Sequence, residues 1–158
     1  MENRLRNEYR NVNKMKDALA KEGITIFPTA SDNLSAWTIS ILTKDKDSPY
    51  SGQTHTISVK IPRDYPLSPP ECNFTTPMFH PNVKFANGEI CLNILTKDDW
   101  SPAISLISLA QSIAGLCSAP NTDSPLNCDA SNLVKNGDVR AVRCICQYYY
   151  KGEYTKVK

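Results

Sequence analysis

Between residues 62 and 82 the chain carries six prolines: Pro62, Pro66, Pro69, Pro70, Pro77 and Pro81. Proline has no backbone N–H to give to a helix interior or a central strand, and its ring fixes φ. The middle of the chain therefore forms neither a long helix nor a run of sheet, with room for one short strand at 71–75. The stretch is too apolar and aromatic for a disordered proline-rich linker. It reads as an ordered, stiffened surface path that divides the regular structure into two halves.

Before it, residues 2–21 place Leu5, Tyr9, Val12, Met15 and Leu19 at helical spacing, with Arg4, Arg6, Arg10, Lys14 and Lys16 on the other faces. Gly23 is a stop signal. Strands follow near 24–29, 36–43 and 54–61. In the second, Trp37, Ile39 and Ile41 alternate with Thr38 and Ser40; in the third, Ile57, Val59 and Ile61 alternate with Thr56, Ser58 and Lys60. Period-two alternation predicts an antiparallel meander with one buried face and one polar, open face. Ser48 to Gly52 makes the turn between these two strands. After the proline segment, Leu106, Leu109, Ala110, Ile113, Leu116 and Cys117 form the stripe of a buried helix over 105–117. Asn127 caps a short helix ending near Asn136-Gly137. Asp138 caps a last one, with Val139, Val142, Cys146 and Tyr149 facing inward. The pattern is α+β. Its 158 residues make one domain, 1–158, able to bury about two-thirds of the unfolded surface.

A net charge of +2 gives no nucleic-acid footprint. No apolar run reaches the length of a membrane span, and Met1-Glu2-Asn3-Arg4 opens no signal peptide, so the expected location is cytoplasmic. Among the six cysteines, Cys72, Cys91, Cys117, Cys128, Cys144 and Cys146, there is no CxxC pair, and His55 and His80 lie far from the CxC of Cys144 and Cys146. No metal site is expected, and reduced thiols are the default. Apart from Cys91, the other five read as packing residues, Cys117 and Cys146 by helical spacing, while Cys144 is a candidate for exposure.

Cys91 stands apart. It follows Asn82 by nine residues and precedes Trp100 by nine. Phe79 to Asn82 reads as a rigid bend and Asn87-Gly88 as a tight turn, after which Glu89-Ile90-Cys91-Leu92 emerges as a short apolar run. A nucleophile and a packed core thiol both satisfy this pattern on the residues alone.

Five motifs in register resemble the ubiquitin-conjugating enzymes: Tyr65-Pro66-Leu67-Ser68-Pro69-Pro70, His80-Pro81-Asn82, Gly88-Glu89-Ile90-Cys91-Leu92, Trp100-Ser101-Pro102-Ala103 and Asp123-Ser124-Pro125-Leu126. The resemblance covers nearly the whole chain. One extra residue lies between Asn82 and Cys91, and another between Cys91 and Trp100, relative to the commonest members. The run from Gly88 to Leu95, and the tail from Asp123 through Asn127 to Asn136-Gly137-Asp138, are closest to the peroxisomal branch, which ubiquitinates import receptors.

The resemblance implies a ubiquitin-conjugating fold: an N-terminal helix, a four-stranded antiparallel meander, an active-site loop and three C-terminal helices. It implies that Cys91 accepts ubiquitin as a thioester and passes it on, with no cofactor of its own, since ATP is consumed by the activating enzyme. A free thiol, with pKa about 8.5, is only partly ionised at neutral pH. The nearby His80 sits before a proline in a bend and reads as scaffold rather than base, with Pro81 beside it. Asn82 has two readings: a side-chain amide donor to the tetrahedral oxyanion, or a brace for the loop. Many relatives carry an acidic residue where this chain has the neutral Asn93 and Ser124, although Asp123 remains adjacent. A lysine acceptor must lose a proton before attack, so neutral surroundings favour a cysteine acceptor over lysine.

By position, the resemblance carries the ligase-binding site over to Arg4, Pro66, Leu67, Ser101, Pro102 and Ala103. Leu67 has its own argument, as an apolar residue between prolines on a stiff loop. It is an exposed docking knob or is tucked under its own loop. The basic face of the first helix is solvated surface or an activating-enzyme site. The polar sheet face of Thr38, Ser40, Thr56 and Ser58 is where ubiquitin or an accessory protein docks in relatives. The implied partners are ubiquitin, its activating enzyme, a RING-type ligase and a membrane-anchored peroxisomal protein, with no nucleic acid and no direct membrane insertion. The implied location is the cytosolic face of the peroxisomal membrane. Against this stand a general cytosolic ubiquitin-conjugating enzyme, a carrier of another ubiquitin-like modifier, a catalytically dead binding module and a papain-like hydrolase. Cys91 disfavours the module, and the lack of a mobile histidine base disfavours the hydrolase.

Overall fold

The computed structural model describes residues 1–152; residues 153–158 of the expected domain lie outside it. Helix α1 spans Glu2–Glu22 and ends where Gly23 adopts φ 82° and donates its N–H to Ala20. A Cβ at Gly23 would lie 2.5 Å from the Leu42 carbonyl oxygen, so the stop is tied to the sheet beneath. The buried stripe of α1 is Leu5, Glu8, Val12 and Leu19. Tyr9 and Met15, expected inside, are exposed. They lie on opposite flanks of the stripe, and a buried carboxylate takes a place within it.

Strands β1 (Ile24–Ala30), β2 (Asn33–Leu42), β3 (Thr54–Lys60) and β4 (Glu71–Phe74) form one antiparallel sheet in the order 1-2-3-4. This is the expected meander. Ile26 pairs with Ile39, Ile39 with Ile57 and Ile57 with Phe74, so one row of the inner face is buried across all four strands. The neighbouring row, Phe27, Thr38, Ser58 and Asn73, lies on the outer face, partly or fully exposed. Strand β2 starts at Asn33 rather than 36, because Ala30 and Asn33 close the hairpin by pairing across the turn. Pro28 is tolerated because β1 is an edge strand with an irregularity between Pro28 and Ala30.

Among the described residues three helices follow the sheet: α2 (Leu106–Ser118), α3 (Cys128–Lys135) and α4 (Val139–Tyr150). Asn127 Oδ1 accepts from the Ala130 N–H at 3.0 Å and Asp138 Oδ1 from that of Ala141 at 2.9 Å, as the cap chemistry predicts. Ser105 does the same for α2 at 3.1 Å. Val142 and Cys146 face inward, but Val139 is 52% exposed. As the first residue of α4, it projects before the helix reaches the core. Tyr149 is half-buried, its ring 5.6 Å from Phe79 and nearly parallel to it.

The proline segment departs from the surface path expected. Met78, Phe79, His80, Pro81, Asn82 and Val83 are all buried. Burial of irregular backbone requires partners for its polar groups. The Tyr50 hydroxyl supplies one, donating to the Phe79 carbonyl at 2.7 Å. Burial, followed by the neighbouring Cys146, raises Tyr50 well above the ordinary tyrosine pKa and keeps that donor protonated.

Candidate active site

Cys91 lies at the end of a small hairpin folded back on the buried bend. Val83 bridges to Ile90, and the Cys91 N–H donates to the Asn82 carbonyl at 2.8 Å. Gly88 makes the hairpin possible. Its φ is 72°, and a Cβ there would sit 2.0 Å from the Phe74 carbonyl oxygen. The Phe74 N–H instead donates to the Gly88 carbonyl at 2.8 Å, fastening the hairpin to β4.

A third segment closes over the bend. The Leu126 and Asn127 N–H groups both donate to the Pro81 carbonyl, at 2.8 and 3.0 Å. The Asn82 side chain brackets Asn121: Nδ2 donates to its carbonyl at 2.7 Å, and Oδ1 accepts from its N–H at 2.8 Å. Segments 80–83, 89–92 and 121–127 are thereby clamped together. Asp123 and Ser124, both exposed, lie on the third segment; exposed Asn93 opens the 3-10 turn Asn93–Leu95 after Cys91.

His80 is fully engaged within this clamp. Its Nδ1 accepts from the Asn82 N–H at 3.0 Å, which leaves the proton on Nε2 to donate to the Leu116 carbonyl, also at 3.0 Å. Burial lowers its pKa from 6.5 to about 4. It is a neutral brace with no nitrogen left to take a proton from a thiol. Cys91 also differs from the other thiols. Cys72, Cys117 and Cys146 are buried, and burial pushes each up to about 12. Cys128, expected to pack, is exposed because it opens α3 on the helix's outer side; Cys144 is exposed too, and Cys91 is half-exposed at the rim of the clamp. Among the described residues no three His, Cys, Asp or Glu side chains gather as a metal set.

The residues expected to meet a ligase form a second group. Leu67 is 76% exposed, the knob rather than the tucked residue. Ser101, Pro102 and Ala103 are exposed, and Pro66 is half-buried. The Trp100 indole N–H donates to the Pro66 carbonyl at 2.7 Å, joining the two loops. Arg4 is less free than its charge suggests. Its Nη1 and Nη2 donate to the carbonyls of Pro102 and Ile104, each at 2.7 Å, and its Nε to Glu8 at 2.8 Å. Glu8 and Asn121 were invisible as site residues in the sequence; the spacing of Arg4 and Glu8 signals only an ordinary helix-surface pair.

The model of the ubiquitin-conjugating enzyme family matches residues 4–147. The chain belongs to that family. It is an acyltransferase that carries ubiquitin through a thioester. The enzyme is 41% identical over 128 residues to the ubiquitin-conjugating enzyme E2 pex4 of Dictyostelium discoideum, covering 81% of this chain and 85% of that protein. It is also 41% identical over 146 residues to PEROXIN-4 of Arabidopsis thaliana, covering 92% and 90%. Among solved structures it resembles Pex4p of H. polymorpha, determined in complex with the soluble domain of Pex22p. That match has a TM-score of 0.86 and 34% identity, over 95% of this chain and 96% of that one. Among the described residues no helix is long and apolar enough to cross a membrane.

Proposed function

We propose that Cys91 is the thiol that holds ubiquitin. The observation that carries this is its position: a half-exposed sulfur on a hairpin clamped to the Asn82 bend, where the buried thiols are pushed up to about 12. The Cys91 thiolate attacks the carbonyl carbon of ubiquitin's C-terminal glycine on the activating enzyme, and that enzyme's thiolate leaves. An acceptor amine or thiolate then attacks the same carbon, and the Cys91 thiolate leaves. No leaving-group acid is needed, which suits a site whose histidine is locked as a neutral brace. Asn82 uses one Nδ2–H on Asn121. Its second N–H is the candidate donor to the tetrahedral oxyanion, so the two readings of this residue are compatible in one side chain.

The similarity to Pex4-type proteins supports a finer reading. The enzyme acts on peroxisomal import receptors with a RING-type ligase, held at the cytosolic face of the peroxisome by a membrane-anchored partner. Neutral Asn93 and Ser124 bias its discharge towards a cysteine acceptor over lysine.

Incubation with activating enzyme, ATP and ubiquitin should give a reductant-sensitive adduct that Cys91→Ala abolishes and Cys128→Ala or Cys144→Ala retains. An adduct surviving Cys91→Ala would refute the assignment. Single-turnover discharge should then be faster to free cysteine than to free lysine, and Ser124→Asp should raise the lysine rate. Fast lysine discharge, unchanged by that substitution, would remove the acceptor bias.

A further inference from the structure

Glu8 occupies a place that thioester chemistry does not call on. It is 2% exposed, on a helix stripe that is otherwise apolar. A buried carboxylate is costly unless donors surround it. Here Oε1 accepts from Arg4 Nε at 2.8 Å and from the Tyr65 hydroxyl at 3.0 Å, while Oε2 accepts from the Leu106 N–H at 3.1 Å. Leu106 is the first residue of α2, whose unpaired N–H groups and dipole favour a negative charge. Arg4 lies 5.4 Å over the Tyr65 ring and runs on to the Pro102 and Ile104 carbonyls. Burial, followed by the Glu8 charge, raises the Tyr65 pKa beyond the ordinary tyrosine range, so its hydroxyl remains a donor. The carboxylate thus joins α1 and the proline loop to the start of α2, and through Arg4 it reaches the loop after Trp100.

We propose that Glu8 is a positioning residue for ligase docking. It fixes the separation of the Pro66–Leu67 loop and the Ser101–Ala103 loop from beneath, so that the surface is formed before a partner arrives. This inference rests on the ligase-docking surface proposed from the family resemblance. Leu67, Ser101, Pro102 and Ala103 are exposed, and their spacing is set by the buried groups below them. A preformed surface loses less entropy on binding. Arg4, with three of its donors committed within the molecule and its side chain partly exposed, ties this scaffold to the contact face. Size alone does not meet the requirement. Three donors converge on position 8, and a glutamine would offer one acceptor oxygen and set an N–H₂ against at least one of them.

The test is single-turnover discharge of the loaded enzyme while a recombinant RING domain that stimulates the wild type is titrated, with Glu8→Gln, Arg4→Lys and Leu67→Ala compared. Glu8→Gln should raise the half-saturating RING concentration roughly five- to tenfold, the scale of re-ordering a loop on binding. Loading, unassisted discharge and the rate at saturating RING should stay within about twofold of wild type. Arg4→Lys, which cannot span both carbonyls, should shift the same parameter less. A merely structural defect would lower loading and unassisted discharge together and would overturn the proposal. So would a folded Glu8→Gln with the wild-type RING response beside a weakened Leu67→Ala. If Leu67→Ala also responds as wild type, the docking surface itself is wrong and the inference falls with it. Should Glu8→Gln fail to fold, an unshifted Arg4→Lys overturns the proposal instead.

Discussion

Around Cys91 the loops are joined by neutral groups: an asparagine amide, backbone N–H and carbonyl pairs, and an uncharged histidine. On the side of Leu67 they are joined by a buried carboxylate and a guanidinium. The two regions solve one problem, ordering irregular backbone, with different materials. Neutral bonds hold the bend and the hairpin under Cys91 without burying a charge there. A charge pair binds more donors per atom and suits a surface that only has to keep its shape. The neutral region should therefore lose chemistry when broken, and the charged region should lose partner affinity.

Asn82→Ala tests the first half most severely. It removes both bonds to Asn121 and the candidate oxyanion donor, so discharge from loaded enzyme should fall about 100-fold or more. Unfolding free energy should fall by only about 1–3 kcal/mol, the loss of two side-chain hydrogen bonds. Single-turnover rates and urea melts measure the two separately. A large stability loss with near-normal discharge would make the amide a brace and nothing more.

Acid titration separates the histidines within the neutral region. His55 and His80 are each lowered from 6.5 to about 4 by burial. Above pH 6.5 neither the folded nor the unfolded state binds their protons, and they contribute nothing. As pH falls from 6.5 towards 4, the unfolded chain takes up protons that the folded one refuses. Stability should drop across that window, by at most about 3 kcal/mol for each histidine. His80 has partners on both nitrogens, whereas His55 sits among Tyr50, Phe74 and Tyr150 with Nδ1 unpartnered among the described residues. His55→Phe should flatten part of the acid loss while leaving neutral-pH activity intact. A urea midpoint that falls as steeply in His55→Phe as in wild type would remove this account.

What the sequence made legible was local. Strand alternation, the αL stop at Gly23 and the caps at Asn127 and Asp138 depend on neighbours within a few positions, and each stands as read. The resemblance supplied the order of the motifs. Hidden from both were the pairings over distance. Asn82 meets Asn121 across 39 positions, and Glu8 reaches Tyr65 and Leu106 across 57 and 98. No periodicity encodes such contacts, and a glutamate four residues after an arginine looks like any solvated pair. The burial of Met78 to Val83 was hidden for the same reason. Proline content gives stiffness, but inside or outside is decided by Tyr50 and Leu116, which lie elsewhere in the chain.

The smallest effect offers the finest division between helix stability and the clamp. Asn127 serves both through different atoms: its side chain caps α3, and its backbone N–H holds the Pro81 carbonyl. Asn127→Ala deletes the first and keeps the second. It should cost about 1 kcal/mol, the usual loss of an N-cap, and leave discharge within about twofold, because the backbone tether remains. Discharge slowed by more than that, at temperatures where the variant is still folded, would mean that the orientation of α3 reaches Cys91 through Pro81. The neutral region would then extend from the active-site bend into the C-terminal helices.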